Sequence, residues 1–113
     1  MICATVTLTT SGQTLRALID TATPGQIPTA SGGRVCEIQI QALTGTFYLV
    51  FKPGSVTLTT DSGFLFQDMA TDTTGAHNRM VMRAPTGNQL SLGDVVLAGA
   101  AGGETARIAA IVA

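Results

Sequence analysis

Apolar and polar residues alternate with a period of two along nearly all of this chain, and that pattern leaves few options for its backbone. Successive side chains of a strand point to opposite faces, so strict alternation marks a strand with one face buried. Ile2, Ala4, Val6 and Leu8 alternate with Cys3, Thr5, Thr7 and Thr9. Leu15, Ala17 and Ile19 alternate with Arg16, Leu18 and Asp20. The cleanest case is Cys36, Ile38, Ile40 and Ala42 against Glu37, Gln39 and Gln41. Phe47, Leu49 and Phe51 share a face opposite Tyr48 and Val50. Shorter strands are expected at Val56–Thr59, Phe64–Phe66, Met80–Met82, Val95–Leu97 and Ile108–Val112. Eight or nine strands result, rich in the β-branched residues that suit a pleated surface. No segment places apolar residues at i, i+3, i+4 and i+7 over three turns, so no long helix is expected.

Turn-forming residues fall between these strands: Ser11-Gly12, Thr44-Gly45, Pro53-Gly54, Asp61-Ser62-Gly63, Thr86-Gly87-Asn88 and Gly93-Asp94. The Ala98–Gly103 run reads as a flexible hairpin tip between the last two strands. Two connections are long, Thr21 to Gly33 and Asp68 to Asn78. Tight hairpins beside long crossovers favour Greek-key connections over a meander. The expected architecture is one all-β domain over residues 1–113, a β-sandwich of eight strands in a jelly roll or Greek key. Val6–Thr10 is echoed at Val56–Thr60, but the flanking residues differ, and two copies are too few for a repeat fold.

Composition enters where the surface is concerned. Charged residues make up 12% of the chain, about half of what an average soluble domain carries. A chain so short of charge has two ways to stay in solution. It can bury much of its surface in an assembly, or it can rely on hydroxyls, since roughly one residue in six is threonine. The assembly is the reading adopted. A net charge of −1 without a basic run points away from nucleic acid and from a polybasic membrane contact. No apolar stretch approaches the length of a membrane span. The opening Met1–Val6 lacks the basic start of a signal peptide. Cys3 and Cys36, assigned to the apolar phase of their strands, are expected to be buried free thiols, as in a reducing compartment.

Groups suited to catalysis are sparse. His77 is the sole histidine and lies in a polar loop, without a positioned partner for acid–base work. No Gly-x-Ser-x-Gly elbow and no phosphate loop occurs. Asp20, Glu37, Asp61, Asp68, Asp72, Asp94 and Glu104 fall mostly at strand ends and turns, where carboxylates cap the local backbone. Asp68 and Asp72, with Thr71 and Thr73, are the one weak calcium candidate, and they lack EF-hand spacing. The expectation is a non-enzymatic protein without a cofactor or metal.

The final strand is the most informative segment. After Arg107, Ile108 to Val112 is apolar on both faces. One face can serve the core; the other needs cover, as do Leu18, Tyr48 and Val50. The run Gly33-Arg34-Val35-Cys36-Glu37-Ile38-Gln39-Ile40-Gln41-Ala42, then Gly45–Val50, Val56 and Ser62-Gly63, resembles a stretch of small β-rich bacteriophage virion proteins over residues 33–68. That resemblance implies a jelly-roll head decoration (cement) protein, commonly a trimer, docked on the major capsid protein and on its own copies. It also implies a place on the capsid surface of a virion assembled in the host cytoplasm, with no nucleic-acid or membrane partner. The expected contact residues are Ile108, Ile111 and Val112, Ile2 and Ala4, and Pro24, Ile27, Pro28, Asp72 and His77 in the two long loops. The competing expectation is a glycan- or receptor-binding sandwich of a phage tail or fibre. Such a module would present exposed aromatic rings, and this chain has no tryptophan and one tyrosine.

Overall fold

A computed structural model describes residues 1–29, 32–51, 64–67 and 78–112. The strands are β1 (Ile2–Thr7), β2 (Gln13–Thr14), β3 (Arg34–Thr44), β4 (Thr46–Phe51), β5 (Phe64–Gln67), β6 (Arg79–Arg83), β7 (Leu90–Ser91), β8 (Val95–Gly99) and β9 (Thr105–Val112), with one helix, α1 (Leu15–Ala22). The first sheet has the order β1-β9-β3-β6, with β7 paired to the start of β3; the second has the order β2-β8-β4-β5. Every pairing is antiparallel. The fold is an all-β sandwich that carries, among the described residues, a single short helix. The strand expected at Val56–Thr59 and the Asp68–Asp72 calcium candidate lie outside the described residues.

Register lines the interior side chains up in rows. Ile2, Ala110, Ile38 and Met82 form one row across the first sheet, and Ala4, Ile108, Ile40 and Met80 the next. Facing them, the second sheet contributes Phe47, Leu49, Val95 and Leu97. Fully burying a side chain of this size is worth about 1.5–3 kcal/mol, so these rows supply most of the drive to fold. On the reverse of the second sheet, Val96 and Ala98 are also buried, with Val50 half-buried against them. The apolar excess expected at Val50 therefore needs no partner chain.

Three local expectations are corrected. Leu15 to Asp20 is helical, not extended. Leu15, Leu18 and Ile19 face the core from α1, and the side chain of Thr14 caps the helix by accepting from the N–H of Ala17 at 3.1 Å. Neither cysteine is buried: both thiols are free, Cys3 is exposed and Cys36 half-exposed. Cys3 lies on the face opposite Ile2 and Ala4, and a register shift between Val35 and Glu37 gives the interior position to Val35 instead of Cys36.

The Ala98–Gly103 tip is not loose either. Within it, five consecutive amides are bonded: Gly99 N–H to Thr9 O (2.8 Å), Ala100 to Thr46 O (3.0 Å), Ala101 to Glu104 Oε2 (2.8 Å), Gly102 to Glu104 Oε1 (2.9 Å) and Gly103 to Leu8 O (2.9 Å). Glu104 is 6% exposed and is the one buried charged side chain among the described residues. Its carboxylate packs over Gly99, where any Cβ would overlap Oε1, and its Cγ would meet a Cβ on Gly45 at 2.6 Å. Gly45, at φ +77°, is the corner where the chain leaves the first sheet for the second. Both glycines are required by this carboxylate's position.

Candidate interaction surface

The outward face of the first sheet remains open, and strand register again fixes its layout. Cys3, Ala109, Gln39 and Val81 form one row; Thr5, Arg107, Gln41 and Arg79 form the next. On the other side of the first row, Glu37 pairs with Ile111 on β9 and with Arg83 on β6. The face mixes exposed apolar groups with guanidinium groups. Val81 is 42% and Ile111 39% exposed, and Met1 is exposed at the same end of β1. Shallow hollows separate these groups. One of about 140 Å³ lies among Gln39, Gln41, Arg79, Arg107 and Ala109. A smaller one of about 50 Å³ lies among Met1, Glu37, Gln39, Ala109 and Ile111.

The polar groups form a short ladder. Arg83 Nε donates to Glu37 Oε1 at 2.6 Å, Gln39 Nε2 donates to Glu37 Oε2 at 2.9 Å, and an Arg79 guanidinium nitrogen donates to Gln39 Oε1 at 3.3 Å. The hydrogen bond from Arg83, then that from Gln39, holds the Glu37 carboxyl below its ordinary range. Partial burial opposes this, and the charge of Arg83 adds to it. Glu37–Arg83 is the one ion pair recorded among the described residues. Among the described residues, neither Arg79 nor Arg107 forms an ion pair with a carboxylate, so the described part of the face carries more positive than negative groups.

The residues expected to make contacts are scattered by the fold. Ile2, Ala4 and Ile108 point inward and are at most 3% exposed. Val112 and Ile27 are half-buried against the core. Ile111 stands on the open face. Pro24 and Pro28 are exposed in the segment after α1, on either side of Gln26, whose Oε1 accepts the Cys3 N–H at 2.8 Å. Asp72 and His77 lie outside the described residues. The groups that define the face besides Ile111, namely Val81 with Arg79, Arg83 and Arg107, were not anticipated. The alternation of Arg79, Val81 and Arg83 with Met80 and Met82 is visible in the sequence, but only strand pairing places β6 beside β3 and β3 beside β9.

Among the described residues, no three His, Cys, Asp or Glu side chains gather as a metal site requires, and no helix is long and apolar enough to cross a membrane. No family model matches this chain, and no curated protein or solved structure matches it significantly.

Proposed function

We propose that this chain is a virion structural protein, most specifically a decoration (cement) protein of a bacteriophage head, which works by docking on the major capsid protein and on its own copies as a trimer. The observation that carries the reading is the open face of the first sheet. It holds exposed Val81 and Ile111 and, among the described residues, bears Arg79, Arg83 and Arg107 against the one carboxylate of Glu37. Exposed apolar side chains rimmed by arginine are the usual make-up of a protein–protein contact. Stable contacts bury about 1,600 Å² in total. Repetition over a shell multiplies a modest single affinity.

The strand order supports the jelly-roll part of this reading. With the two-residue β7 set aside, eight strands pair as nested couples: β1 with β9, β2 with β8, β3 with β6, and β4 with β5. Folding such a nested hairpin over itself generates a jelly roll, an architecture used by capsid proteins and by lectins alike. The lectin-like alternative draws no support from the two aromatic side chains whose burial is described, Phe47 fully buried and Tyr48 half-buried.

The test is direct. Purified protein is examined by analytical ultracentrifugation and then mixed with phage heads that lack accessory proteins. A trimer that co-sediments with the shells and raises their resistance to heat or chelator is expected. A stable monomer without affinity for any shell would sink the proposal.

A further inference from the structure

A sheet is vulnerable at its lateral strands, which proteins protect with charge, brevity, bulges or cover. Here β6 carries Arg79 and Arg83, β2 is two residues long and β5 four. The remaining lateral strand, β1, has six residues, no charge, no proline and an unbroken register with β9. Hydrogen-bond parity shows which of its backbone groups point outward. Leu8 N–H donates to Glu104 O at 2.8 Å and Leu8 O accepts from Gly103 at 2.9 Å, so the even-numbered residues face β9. Cys3, Thr5 and Thr7 therefore direct N–H and C=O off the sheet. Gln26 occupies the N–H of Cys3. Those of Thr5 and Thr7 are left, and they open onto a groove of about 330 Å³ between β1 and α1. Thr5, Thr7, Thr9, Leu18, Thr21 and Ala22 line most of it, and among the described residues no charged side chain does.

We propose that this groove binds an extended, uncharged peptide arm of another protein, which adds to β1 as a strand. Two outward donors and two outward acceptors, on residues two apart, match the alternate backbone groups of a strand. A helix, whose backbone groups bond internally, cannot use them. No described residue of the lining could pair with a charge on the arm, so an uncharged arm fits it best. With α1 packed alongside and walling the groove with Leu18, Thr21 and Ala22, a narrow arm meets less obstruction there than the sheet of a second copy would. The inference rests on the β1 edge and not on the capsid reading.

The experiment screens the full chain against immobilised uncharged heptapeptides and follows hits by amide NMR. Binding peptides should shift the Thr5 and Thr7 amide signals and slow their hydrogen exchange. N-methylation at alternate peptide positions should abolish binding, while methylation at the intervening positions should not. Ala22→Trp, which fills the groove from an exposed helix position, should weaken binding by about tenfold or more, and Asn88→Ala in a distant turn should leave it unchanged. An absence of hits, hits indifferent to both N-methylation and Ala22→Trp, or shifts confined to β6 and β9 would overturn the proposal. So would Thr5 and Thr7 shifts that appear on raising the protein concentration alone, which would mean a second copy takes the edge.

Discussion

Glu104 shows how much one side chain can organise. Its two carboxylate oxygens hold the amides of Ala101 and Gly102, and its bulk accounts for the bare positions at Gly99 and Gly45. Glu104→Ala leaves those donors without their acceptor and should lower stability by about 1–3 kcal/mol in denaturant titrations. Gly99→Ala should be destabilising alone, through overlap with the carboxylate, yet cost much less in the Glu104→Ala background; additive effects would refute the close approach. Glu37 makes a pH-dependent contribution. Its folded value lies below the unfolded one, so the stabilisation is complete above the unfolded range and is lost as pH falls through the depressed folded value. Glu37→Gln should accordingly lower stability at neutral pH, converge with the parent protein below the depressed folded value, and so flatten the acid side of a stability-against-pH curve. The two thiols differ in access, and a maleimide should label exposed Cys3 in the native protein faster than Cys36.

At the level of elements, α1 shows two periodicities competing within the same letters. Leu15, Ala17 and Ile19 read as a strand face, while Leu15, Leu18, Ile19 and Ala22 read as a helix face, and only eight residues are available to choose between them. Thr14 tips the balance by capping the first turn, and the buried trio of Leu15, Leu18 and Ile19 holds it. Thr14→Ala should cost about 1 kcal/mol, read as a lowered unfolding midpoint. The helix closes the sandwich near β1 and forms one wall of the groove there. In β9, the double apolar character noticed in the sequence divides cleanly: Ala106, Ile108 and Ala110 fill the core, and Ala109 and Ile111 look outward.

For the whole molecule, the decisive quantity is apolar surface left over once the core is filled. On the second sheet that surplus is buried within the chain at Val96 and Ala98. On the first it stays open around Val81 and Ile111. Val81→Asp with Ile111→Asp should leave the unfolding temperature nearly unchanged, since surface changes usually fall within about 0.5 kcal/mol. The same pair should abolish trimer formation and shell binding in sedimentation. Retained assembly in the double variant would move the interface elsewhere.

The two-residue period determined that this chain folds mainly as strands, because a backbone with side chains alternating between faces can bury only every second one. Ile38, Ile40 and Ala42 on β3 and Phe47 and Leu49 on β4 were legible on that ground alone. The bulge that turned Cys36 away, the core burial that settled the short helix and the approach of Glu104 to Gly45 depend on contacts between residues far apart in the chain, and only the tertiary structure decided them. The open face is of the same kind. Arg79, Arg107 and Ile111 belong to strands whose neighbours are set by hydrogen bonding between sheet partners, an interaction that leaves no local trace in the order of the residues.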